Sequence, residues 1–87
     1  MNAVCMKIKE WFYDRLDSEA SRYKMGGIAI DKDENHNIVI EDGCVYACEC
    51  FILAETEKAY KVAFGNAESC KPFYSWVPKS VVLEIIR

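Results

Sequence analysis

Cys44, Cys48 and Cys50 fall within seven residues of one another, and Cys70 follows a segment that reads as a returning strand. Thiolates gathered in this way are ligands for zinc, which takes four sulfurs tetrahedrally at about 2.3 Å each. The chain shows no leader and no secretory pattern, so the expected setting is a reducing cytoplasm, where clustered cysteines bind metal more often than they form disulfides. Four thiolates leave no open coordination position, so a zinc held by Cys44, Cys48, Cys50 and Cys70 would be structural. The competing reading treats the same residues as buried free cysteines, small hydrophobes with a weak S–H donor. Cys5 reads as a packing residue and as the substitute fourth ligand if Cys70 lies too far away.

A β-hairpin must position these thiols. With the turn centred on Thr56-Glu57, Phe51 falls opposite Val62 and Leu53 opposite Tyr60 on a core face. Cys48, Cys50 and Ile52 then take the outer face, next to the small residues Gly65 and Ala63. Residues four apart on a flat strand are separated by about 13 Å, so Cys44 joins the others only if the chain bulges near Val45 to Ala47.

Before the hairpin, Val4, Ile8, Trp11, Phe12, Leu16 and Ala20 follow a helical spacing. The expected element is an amphipathic helix over about 2–23 with Asn2 as N-cap, or alternatively one that breaks near Leu16 with Asp17-Ser18 capping a second short helix, and in either case an end at Gly26-Gly27. From Ile28 the period changes to two. Ile28, Ile30, Ile38 and Ile40 flank the polar loop 31–37, and Asp42-Gly43 turns the chain into a strand over 44–53. Strands over 59–64, 73–77 and 81–86 follow, the last two joined by Pro78-Lys79-Ser80. The fold class is α+β: a single domain over 1–87, with the helix packed on a small, curled antiparallel sheet of five to six strands over about 28–86, an SH3-like or OB-like barrel.

Composition narrows the function classes. An 87-residue chain that is 52% hydrophobic can build one core. It holds no apolar run near the roughly 20 residues of a membrane span. The net charge of −3 is uneven, because residues 28–57 carry eight acids against Lys32 alone, −7 within that block and +4 outside it. Such a block repels a phosphate backbone and suits a basic protein surface, so nucleic acid is not the expected partner. Asp31, Asp33, Glu34, Glu41 and Asp42, with Tyr13 and Tyr74 as exposed aromatics, are the candidate partner-binding residues, and Trp76 is assigned to the core. The loop echoes a calcium site at Asp31, Asp33 and Asn35, but His36 stands where glycine is needed and Asp42 where a bidentate Glu is needed. The chain holds no P-loop, nucleophile elbow or dinucleotide fingerprint, and a non-enzymatic role is expected.

The stretch Glu55-Thr-Glu-Lys-Ala-Tyr-Lys-Val-Ala-Phe64, followed by Trp76-Val-Pro-Lys-Ser80 and a hydrophobic strand, resembles the C-terminal half of small proteins from phages and mobile elements of Firmicutes. The resemblance covers about the last 35 residues, and the segment 65–72 departs from the shorter connection associated with it. It implies an inhibitor of host defence of the anti-CRISPR kind. The implied partner is a basic, type II RNA-guided nuclease in the host cytoplasm, whose DNA loading or cleavage the acidic segment would block. Two further roles stay open. One is a single-stranded nucleic-acid-binding barrel using Lys58, Lys61, Lys71 and Lys79 with Tyr60, Tyr74 or Trp76, and the other a structural component of a phage assembly.

Overall fold

The computed structural model describes residues 3–22, 28–65 and 72–87. Strand β1 (Val4–Lys9) leads directly into helix α1 (Glu10–Arg22), and β2 (Cys44–Glu55), β3 (Ala59–Phe64), β4 (Phe73–Pro78) and β5 (Val82–Ile86) follow in chain order. All strand pairings are antiparallel, in the order β4-β3-β2-β1-β5.

This order has a geometric consequence. β4 and β5 lie at opposite ends of the sheet, yet only the three-residue 3-10 turn Lys79–Val81 joins them. Three residues span at most about 11 Å, so the sheet must curl until its two edges approach each other. β4 and β5 do not pair, so the curl stays open. Among the described residues the α+β architecture is thus a single α-helix packed on a curled five-stranded antiparallel sheet.

The N-terminal segment corrects the expected helix over 2–23: Val4–Lys9 is a strand, and the helix begins at Glu10. Val4 and Ile8 are four apart, which keeps them on one face at either period, and Met6 between them is fully buried, as only a strand allows. β1 pairs with β2 on one edge and β5 on the other, so its backbone groups are satisfied in the middle of the sheet. The helix runs unbroken through Asp17-Ser18, with Glu10 in its first turn and Arg22 in its last, both favourable to the helix dipole. It buries Phe12, Tyr13, Leu16 and Ala20 against the sheet. Trp11, assigned by spacing to the apolar face, is exposed. Gly26-Gly27 lies outside the described residues.

The core joins these helix residues to Val4, Met6 and Ile8 of β1, Val45, Ala47 and Cys50 of β2, Val62 and Phe64 of β3, and Phe73 and Val77 of β4. Phe64 and Phe73 pack with ring centroids 6.5 Å apart. The β2-β3 register differs from the expected one. Phe51 faces Ala63 and Ile52 faces Val62, and a further shift between Ile52 and Ala54 sets Glu55 opposite Tyr60. A slip of one residue exchanges the two faces of a strand. Cys50 and Val62 are therefore fully buried and Leu53 is exposed, the reverse of the expectation for Cys50 and Leu53.

Candidate protein interface and thiol pair

Segment 28–43 folds back along the N-terminal half of β2, on the edge that β3 pairs only from Cys50 onward. Asp31 N–H donates to the Tyr46 carbonyl at 2.9 Å, and Cys48 N–H donates to the Ala29 carbonyl at 3.0 Å. Ile28 is buried and Ile30 packs against the core, so the foot of this segment is anchored. Beyond it the chain narrows to isolated bridges, Lys32 with Ile38 and Glu41 with Cys44, where longer strands were expected.

Two tight turns shape the projection. Asp33 Oδ1 accepts from the N–H groups of Asn35 at 2.8 Å and Asn37 at 3.0 Å, closing a loop in which His36 sits at φ 64°. The carboxylate oxygen offered by the calcium-like pattern is thus occupied with the backbone of its own loop. At the second turn Asp42 and Gly43 have φ of 54° and 71°, and Glu41 and Cys44 exchange both backbone hydrogen bonds. This is the geometry that an Asp-Gly hairpin favours.

All five candidate acids of this projection are exposed, but they have different duties. Glu41 and Asp42 reach Lys7 of β1 at 3.8 and 3.6 Å, and Tyr46 Oη donates to Glu41 Oε2 at 3.1 Å. Burial works against the Lys7 charge, but Tyr46, Glu41 and Asp42 outweigh it and hold its pKa above the ordinary lysine value. Burial and the Glu41 hydrogen bond likewise push the Tyr46 hydroxyl up. Two acids therefore tie the projection to the sheet, Asp33 closes a turn, and Asp31 and Glu34 make no ion pair among the described residues. Beside them stand Ile38 and Ile40, 39% and 56% exposed, although their period-two spacing around the loop points to strand residues.

The aromatic candidates divide. Tyr74 is 57% exposed, as expected of a surface residue, whereas Tyr13 is 7% exposed and belongs to the core. Helix periodicity could have revealed this, because Tyr13 is flanked by Phe12, Leu16 and Ala20. Burial, with Asp17 and Asp14 nearby, pushes its hydroxyl pKa up. Trp76, expected in the core, is half exposed on the edge strand β4 and borders a groove of about 160 Å³ against Phe12, Arg15, Leu16 and Glu19 of α1. Ligand pockets usually measure about 300–1,000 Å³, so this groove is smaller than most.

The cysteines are distributed among different environments. Cys44 lies at the start of β2 with its thiol 3.6 Å from the Asp42 carbonyl, and Cys50 is fully buried with its thiol 3.3 Å from the Ala47 carbonyl. Cys48 is half-buried, and its sulfur lies 3.5 Å from that of Cys5. Cys70 lies outside the described residues. Among the described residues no three His, Cys, Asp or Glu side chains gather as a metal-holding group, and the closest thiols form a pair. Burial, reinforced by Cys5, pushes the Cys48 thiol up to about 12, and burial does the same to Cys50.

A β-bulge creates that pair. Val4 faces Cys50 and Met6 faces Ala47, so Cys5 alone stands opposite two residues, Cys48 and Glu49. Glu49 adopts φ 54°, and Gly65 packs against it so closely that an added Cβ would meet the Glu49 Cβ at 2.8 Å and its carbonyl at 3.1 Å. Comparison of the chain with family models, with curated proteins and with solved structures finds no match.

Proposed function

We propose that this chain is a protein-binding domain whose docking element is the acidic projection over 31–42. The observation that carries this reading is the combination of five exposed acids and two exposed isoleucines on one short, hydrogen-bonded projection with a single lysine. Apolar anchors surrounded by like charges suit a basic surface with a shallow apolar recess: the isoleucines supply desolvated contact and the carboxylates steer the encounter. Because the turns are already closed by internal hydrogen bonds, little loop ordering remains to be done on binding.

The narrower form of the proposal follows from the sequence resemblance: the basic partner is a type II RNA-guided nuclease, and the bound projection blocks its DNA loading or cleavage. Asp31 and Glu34 are the informative positions, since their reversal disturbs no described ion pair. Titration of the protein onto such a nuclease loaded with guide RNA is expected to give salt-sensitive binding that Asp31→Lys with Glu34→Lys weakens at least about tenfold, roughly 1.4 kcal/mol. Undiminished cleavage at a large excess of the protein refutes the nuclease form. Binding indifferent to both reversals and to salt refutes acidic docking itself.

One observation favours a second reading. Tyr74 and Trp76 lie two apart on β4 and so share a face, and Lys61 sits directly opposite Trp76. That arrangement offers a small stacking platform for single-stranded nucleic acid. Against it, Lys79 is engaged with Glu55 and lies 5.0 Å from the Tyr60 ring centroid, and Lys71 lies outside the described residues. Quenching of tryptophan fluorescence by short oligonucleotides at low salt decides for this reading, and a flat titration decides against it.

A further inference from the structure

We infer that Cys5 and Cys48 form a cross-strand dithiol that closes reversibly to a disulfide, a modification site at the foot of the acidic projection. The two sulfurs are 3.5 Å apart, and each residue is half-buried rather than sealed. Cys5 stands across from the bulge in β2, between the regular pairs Val4 with Cys50 and Met6 with Ala47; regularly paired antiparallel residues have Cα atoms about 4.5–5.5 Å apart, inside the range a disulfide spans. Closing the remaining gap to an S–S bond of about 2.05 Å takes side-chain rotation and a small strand adjustment.

The other described thiols are poorly placed to compete. Cys50 is fully buried and directed to the Ala47 carbonyl, and Cys44 is buried with its thiol near Asp42. The chemistry requires a two-electron acceptor, for which a small-molecule disulfide of the glutathione class suffices. The Cys5 sulfur, its proton lost to solvent, attacks one sulfur of that disulfide and releases the first thiolate, which takes up a proton. Cys48 then attacks the Cys5 sulfur of the mixed disulfide and expels the second thiolate, which takes the Cys48 proton. Two protein thiols are oxidised, one small disulfide is reduced to two thiols, and the reverse sequence reopens the pair. Because burial keeps Cys48 protonated, the second step accelerates as pH rises through the alkaline range.

The location gives the bond a consequence. Cys48 N–H holds the Ala29 carbonyl at 3.0 Å, so the link would fasten β1 to the strand residue that anchors the projection, across a sequence separation of 43 residues. Joining residues so distant in sequence restricts the unfolded chain more than the folded one, so the melting temperature should rise on oxidation. The inference does not depend on what the projection binds.

The experiment equilibrates purified full chain in mixtures of oxidised and reduced glutathione, traps free thiols, and maps non-reduced peptides by mass spectrometry. The expected result is a peptide pair joined through Cys5 and Cys48, a fall in free thiols from five to three, and a higher melting temperature that dithiothreitol reverses. Cys48→Ser is expected to abolish all three changes. Should that variant fold poorly, Cys44→Ala with Cys70→Ala provides the second arm, expected to keep the cross-link. A bond joining any other pair, persistent glutathione adducts without closure, thiols inert at every redox ratio, or stoichiometric zinc bound in place of the free pair would each overturn the inference.

Discussion

The inner face of the sheet and the acidic projection are built on opposite principles. On the inner face, Met6, Ile8, Val45, Val62, Phe64 and Val77, with Leu16 of α1 in the same core, are almost wholly withdrawn from solvent, and no charged residue is buried among the described residues. Each side chain there contributes through the area it hides, about 25 cal/mol per Å², and is replaceable only by something of similar volume. In the projection almost every side chain is exposed, and order comes from backbone hydrogen bonds, two turns with positive φ and the Lys7 contacts. Stability therefore resides in the core, and the proposed recognition is assigned to a structured but thinly packed protrusion, so the two should be separable.

Removing core volume should have the largest effect. Phe64→Ala deletes a fully buried ring packed on Phe73 and is expected to cost about 3–5 kcal/mol, a large share of the stability of a domain this small, read as a fall in the urea midpoint. A loss below about 1 kcal/mol would mean that the inner face is looser than its burial implies.

Next comes the close approach behind the bulge. Gly65→Ala drives a methyl group into the Glu49 Cβ and carbonyl, where the backbone has little freedom to retreat, and should cost about 1–3 kcal/mol in thermal melts. Serine is no remedy, because it carries the same Cβ. Equal stability for Gly65→Ala and wild type would show that the β2 bulge relaxes freely.

A smaller effect should appear with pH. The folded Cys50 thiol has its pKa pushed up to about 12 by burial, above the ordinary thiol value of 9.0. Its contribution is therefore complete below pH 9 and is lost as pH climbs toward 12, since the unfolded chain releases the proton first. Urea midpoints measured from pH 8 upward should decline more steeply in wild type than in Cys50→Ala, which keeps the raised Cys48 thiol but has lost that of Cys50. Parallel slopes would remove Cys50 as a cause.

The smallest effect on stability belongs to the projection. Asp31→Lys and Glu34→Lys should each move stability by no more than about 0.5 kcal/mol while changing the salt dependence of partner binding. Asp33→Ala should cost about 1 kcal/mol, because two backbone N–H groups lose their acceptor. If the reversals at Asp31 and Glu34 unfolded the protein, the proposed separation between the two regions would fail.

Legibility from sequence followed the range of the interactions. The Asp42-Gly43 turn, the β3 strand over 59–64 and the break at Pro78-Lys79-Ser80 are set by neighbouring residues and were readable directly. Register was not, because it depends on where an extra residue is accommodated, and the shifts near Ile52 and at Glu49 leave no local pattern. The Cys5 and Cys48 pairing was hidden for the same reason: 43 residues separate them, and assigning the N-terminus to a helix removed Cys5 from the sheet.

The sequence by itself determined one helix-forming stretch, an acidic middle segment and short apolar strands separated by turn residues, all consequences of residue type and near-neighbour spacing. Only the tertiary structure decided that Val4–Lys9 is a strand, because a four-residue repeat fits both periods and the hydrogen-bonding edges of β2 and β5 select between them. The same strand brings Cys5 to Cys48 and Lys7 to Glu41 and Asp42, so one long-range pairing fixes both the thiol pair and the anchor of the acidic projection.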